Sequence, residues 1–154
     1  MKPGGTFDLK SPRHLLDKAK HDLARLRKDP INTYAAFDLF VTLRHIPHWM
    51  FPGDDAKAHA MIEAHAELRV CRHIADGAKH FVLRAKHHRQ VLRTEKTASA
   101  WGNAWGKSWG SSWGENALVI ELDLADPGAA SLGTHITALE LGEKAVKLLE
   151  DLVP

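Results

Sequence analysis

The sequence predicts a mainly α fold: a four-helix bundle with a β-hairpin or short two-stranded insert between helices 3 and 4. Three observations carry this. Apolar residues recur every three to four positions along four stretches, helix-start signals stand ahead of them, and the rhythm changes to alternation in two segments between 90 and 124. At 154 residues, 44% hydrophobic and 26% charged, the chain reads as a single globular domain, 1–154, with length enough for a core.

Residues 1–10 carry Pro3, Gly4 and Gly5 and read as a loose N-terminus. Ser11 then Pro12 is a helix start, a side-chain cap followed by a residue with no N–H to leave unpaired. Leu15, Leu16, Ala19, Leu23 and Leu26 follow at helical spacing until Asp29-Pro30 stops the helix. A second helix opens near Asn32 or Thr33. Its expected inner face carries Tyr34, Phe37, Phe40 and Val41, with Leu43 or Arg44, and Pro47 is its expected end. Asp54 and Asp55 suit the positive end of a third helix dipole. From there to about Arg84 or His88, Met61, Ile62, Leu68, Cys71, Ile74, Ala75, Ala78, Phe81 and Val82 form one broad stripe, so the third helix is expected to be the longest element.

Residues 90–97 and 117–124 then alternate as strands do, the second most clearly, with Leu118, Ile120, Leu122 and Leu124 set against Val119, Glu121 and Asp123. After the loop ADPGAASLG, helical spacing resumes in Ile136, Leu139, Val146, Leu149 and Leu152. Thr137 and Glu140 fit a capping box, and Thr134 is an equal candidate for the cap.

A net charge of +2 makes no case for nucleic acid, although the 11 histidines would make the chain strongly basic near pH 6. The single cysteine excludes an internal disulfide and fits a reducing compartment. With no signal-peptide pattern and no bilayer-length apolar run, a cytoplasmic location away from membranes is expected.

Four of the five tryptophans, Trp101, Trp105, Trp109 and Trp113, stand in WGNAWGKSWGSSWG, within a loop or hairpin tip spanning 99–116. Glycine after every tryptophan opposes a helix. A period of four puts all four indoles on one face of a strand. Such a row could stack bases. Lys107 is the only cation inside it, so a contact surface for a protein partner is the favoured reading.

CRHIADGAKHF, residues 71–81, is the stretch most suggestive of chemistry. Helical spacing brings Arg72, Asp76, Lys79 and His80 within reach of one another. His80 could act as acid or base, Asp76 could orient it, and Arg72 with Lys79 could stabilise charge on phosphate. The competing reading is an ordinary set of charge pairs on a solvated helix face. A zinc site from His73, Asp76 and His80 with His45 or His48 has no HExxH or CxxC behind it, and no metal or other cofactor is expected. Neither GxSxG nor a phosphate-cradling glycine loop occurs, and Cys71 on the apolar stripe is expected to be inert.

TYAAFDLFVTLRHIPHWMFP, then ELRVCRHIADGAKHFVL, then a β-like insert and a final amphipathic helix, resembles the HEPN class of small helical-bundle proteins, especially its uncharacterised phage and bacterial branch. The resemblance covers about residues 11–152, with AAFDLFVTL and AKHF its sharpest words. It implies a homodimer and, if active, a metal-independent endoribonuclease of a toxin–antitoxin or defence system acting on RNA. In that class an arginine is followed after four to six residues by a histidine. Here seven residues separate Arg72 from His80, about 100° of helix too many. The alternative is a non-catalytic interaction module that uses the Trp-Gly repeat.

Overall fold

The computed structural model describes residues 5–79, 90–97 and 116–154. Over these the protein is mainly helical, with six helices and a small antiparallel sheet of three strands. Helix α1 spans Pro12–Lys28, α2 Thr33–Met50, α3 Asp55–Ala64 and α4 Ala66–Lys79. Strands β1 (Val91–Thr97) and β2 (Ala117–Leu122) follow, then the short α5 (Gly128–Leu132), β3 (His135–Thr137) and α6 (Ala138–Leu152).

The starts of the helices obey their local chemistry. Ser11 accepts from the His14 N–H at 3.2 Å, with Pro12 at the first helical position. Asn32 accepts from the Ala35 N–H at 3.0 Å, and Asp54 from the Lys57 N–H at 3.0 Å. Thr137, rather than Thr134, caps α6 by accepting from the Glu140 N–H at 3.1 Å. Each such cap satisfies a donor that the helix itself cannot pair.

Three helical expectations need correction. The third helix is not continuous: His65 adopts an extended conformation and divides it into α3 and α4, which leaves α2, at 18 residues, the longest element among the described residues. Pro47 does not end α2, which runs on to Met50; Ile46 and Pro47 are buried, so packing offsets the roughly 3 kcal/mol that an internal proline costs. The inner face of α2 is Ala35, Ala36, Leu39, Phe40, Leu43 and Ile46, whereas Tyr34 is 81% and Phe37 48% exposed. Apolar residues surround much of this helix, so periodicity alone could not choose its buried side.

The sheet holds three strands where two were expected. Ile120 of β2 pairs with Thr94 of β1 on one side and with Ile136 of β3 on the other. Ile120, Leu122 and Ile136 join the core, while Leu124 lies beyond the end of β2 and is exposed. Thr97 pairs with Ala117, so the two strands that flank the Trp-Gly repeat are side by side at its roots. The repeat itself, and the stretch from His80 through Phe81 and Val82 to His88, lie outside the described residues.

The core is contributed by α1, α2, α4, α6 and the inner side of the sheet, with Ile62 of α3 and Leu132 of α5 joining it. At Gly142 of α6 the helices approach so closely that an added Cβ would stand 2.7 Å from Leu39 Cδ2 and 3.3 Å from Leu23 Cδ1. A valine at this point overfills the core. Gly142→Val is expected to lower unfolding free energy by about 1–3 kcal/mol in urea denaturation. An unchanged midpoint and slope would contradict the packing described.

Candidate functional site

The polar cluster on α4 is divided between two neighbours. Arg72 and Asp76 stand four residues apart on one helix, yet each turns to a different element. Arg72 is 4% exposed, and its Nη2 lies 2.7 Å from Glu63 Oε1 at the end of α3. Asp76 accepts from Arg44 Nε of α2 at 3.2 Å, with both side chains mostly covered. Lys79 is exposed at the last residue of α4, and His80 lies outside the described residues.

The break at His65 places Glu63 where α4 can grip it. Arg69 donates through Nη1 to the Glu63 carbonyl at 2.6 Å, satisfying one of the acceptors left over at the end of a helix. One turn later, Arg72 meets the Glu63 carboxylate. Arg69 also reaches Asp126 Oδ1, 3.4 Å away, ahead of α5. Two arginines three residues apart therefore hold a corner together. Among the described residues neither Nε nor Nη2 of Arg72 makes a hydrogen bond, so Glu63, itself 54% exposed, answers the charge as an ion pair and the buried guanidinium keeps much of its hydrogen bonding unmet.

The histidines divide as well. His48 of α2 stacks edge-on to His59 of α3 with ring centres 5.5 Å apart, and its Nδ1 is 3.4 Å from Asp55. Burial, then the neighbouring Arg44 charge, pushes His48 below its ordinary value, while the Asp55 carboxylate partly opposes this. His45 moves down by the same two causes in the same order. His135 on β3 is lowered by burial against an opposing pull from Glu121. Among the described residues no three His, Cys, Asp or Glu side chains gather closely enough to hold a metal ion. Cys71 is fully buried, which drives its thiol far up and keeps it from acting as a thiolate.

A polar node that sequence reasoning missed ties α1 to α2. Asp22 is 2% exposed, paired with Lys18, 3.3 Å from Arg25 Nη1 and 3.5 Å from Thr42 Oγ1. Arg25 continues the chain to Asp38 at 2.7 Å. The signal was its position: Leu15, Ala19, Asp22 and Leu26 share the buried face of α1. An acid inside such a stripe needs partners, because an unpaired buried carboxylate is strongly disfavoured.

The described surface also holds a cavity of about 260 Å³ between α2, α4 and the sheet. Its walls are Ala36, Phe37 and Phe40 of α2, Ile74, Ala75 and Ala78 of α4, and Leu118 and Ile120 of β2. No helix among the described residues is long and apolar enough to cross a membrane. No family model, no curated protein and no solved structure matches this chain.

Two predictions follow from this geometry. Because the three histidines bind protons more weakly when folded, their contribution to stability is complete above about pH 6.5, the unfolded value, and is lost as pH falls below it through their lowered folded values. The thermal midpoint is expected to drop between pH 7.5 and 5.5, and to drop less when His45, His48 and His135 are all changed to Gln; an equal drop would rule out this cause. Removing the carboxylate in Glu63→Gln strands the Arg72 charge and is expected to cost about 1–3 kcal/mol in urea, whereas Arg72→Met, which removes the charge itself, is expected to cost less. The reverse order would contradict a supporting role for Glu63.

Proposed function

We propose that this chain is a non-catalytic interaction module on a HEPN-like helical bundle, and that its partner is a second copy of itself. The observation that carries the reading is the state of Arg72: a guanidinium at 4% exposure, neutralised by Glu63, is committed to the α3–α4 corner and not presented to a phosphate. The Asp76 carboxylate is likewise engaged by Arg44 of a neighbouring helix. A HEPN-type ribonuclease would need its arginine beside its histidine at an open cleft. Retention of the bundle with loss of that chemistry fits these contacts better.

The contact surface is supported by aromatic exposure. Tyr34 and Phe37 stand one turn apart on the outer side of α2, an apolar pair of the kind that marks protein contacts. Phe37 lines the same cavity as Lys96 and Leu118, the residues next to Thr97 and Ala117, from which the Trp-Gly repeat departs. The aromatic side of α2 and the strand ends Thr97 and Ala117 thus share one side of the protein.

Two assays on the full chain test this. Sedimentation equilibrium is expected to show a dimer that weakens both in Tyr34→Ser/Phe37→Ser and when the four repeat tryptophans become serine; a monomer at every concentration would remove the proposed partner. On labelled RNA with a chelator present, Arg72→Ala and His80→Ala are expected to leave background cleavage unchanged. Cleavage by the parent that both substitutions abolish would restore the ribonuclease reading.

A further inference from the structure

The cavity between α2, α4 and the sheet has a size and a lining that select a ligand. An apolar protein cavity of about 150 Å³ holds benzene, roughly 25 Å³ for each of six ring carbons. At that ratio 260 Å³ accommodates about ten non-hydrogen atoms, which is the size of two fused rings. Pockets for drug-sized molecules start slightly larger, at about 300 Å³.

The space exists because the facing helices place Ala36, Ala75 and Ala78 where a leucine from either side would fill it. Phe37 and Phe40 supply aromatic walls, which favour a flat ring through offset or edge-to-face contact. The polar residues that line the cavity are Thr33 and a run of β1, Thr94, Glu95 and Lys96. Thr94 and Lys96 share the face of β1 that pairs with Ile120 and Leu118, whereas Glu95 lies on the other face, 3.9 Å from Arg93. Exposed Lys96 can keep its ammonium in water while its stem lines the edge, and the Thr33 and Thr94 hydroxyls can accept from a ring N–H or O–H. Phe37, half exposed at the opening, would lose water contact when a ligand enters.

We propose that this cavity is a binding site for a neutral, planar, bicyclic aromatic small molecule carrying one hydrogen-bond donor, a compound of the indole class. The site shares Phe37 with the proposed self-contact but needs neither a second copy nor Tyr34.

The test uses the full chain with 5-fluoroindole as probe, read by fluorine NMR, with fluorobenzene as the single-ring comparison. Saturable binding of the bicyclic probe is expected, several-fold tighter than that of fluorobenzene, with amide shifts concentrated at Phe37, Ile74 and Leu118. Ala78→Leu, at an exposed position on the wall, is expected to weaken the probe about tenfold or more while leaving the thermal midpoint unchanged. Should that variant fail to fold, the amide shifts of the parent chain decide the location. Binding that does not saturate, shifts that fall elsewhere, or an Ala78→Leu variant that binds as well as the parent would overturn the proposal. It would equally be overturned if the probe bound only after the four repeat tryptophans were replaced by serine, since the cavity would then be the seat of the chain's own indoles.

Discussion

The ion pair between Arg72 and Glu63 is the constraint around which the middle of this protein is arranged. A buried guanidinium is tolerated only when something answers its charge, and the answer comes from the last turn of the preceding helix. The extended residue His65 is what makes this possible. It turns α3 away from α4, so that the side chain and the carbonyl of Glu63 both face the neighbouring arginines. Had the helix run straight through, Glu63 and Arg72 would lie nine residues apart along one axis, about 13 Å in rise, and could not meet.

That corner feeds into the packing on either side. Arg69 passes from the Glu63 carbonyl to Asp126, which itself accepts the Gly128 N–H at 2.7 Å and so fixes the entry to α5. On the other flank Asp76 engages Arg44 and joins α4 to α2. Leu68, Cys71 and Ala75 fill the apolar side of the same helix. The charged residues of α4 thus orient it while its apolar residues contribute most of the burial energy. Each such charged link is weak evidence for net stability and stronger evidence for a single arrangement of the helices.

Much of this was legible in the sequence, and the failures have particular causes. The cap at Ser11, the stripe of α1 and the alternation of β2 are local signals, and local signals survive folding; the choice of Thr137 over Thr134 was open in the sequence. The break at His65 has none: EAHAEL contains no glycine or proline, and only the arginines arriving from the next helix reward the turn. Tyr34 and Phe37 share helical spacing with Phe40, which suggests an inward face, but the smaller Ala35, Ala36 and Leu39 let α1 and α6 come close. β3 is three residues long and merges directly with α6, so its HIT reads as a helix start. For the candidate site, helical spacing correctly placed Arg72 and Asp76 on one helix. It could not say that Glu63 and Arg44 would claim them, because those contacts depend on how separate helices meet.

The most direct measurement is the exchange of the arginine side-chain protons, followed by NMR at neutral pH. A guanidinium sealed from water at the Glu63 corner should retain a resolved, slowly exchanging Nε–H for Arg72, in contrast to Arg13, which is exposed. If Arg72 instead exchanges as fast as Arg13, its charge faces water, the corner is not closed, and the case against a catalytic arginine falls with it.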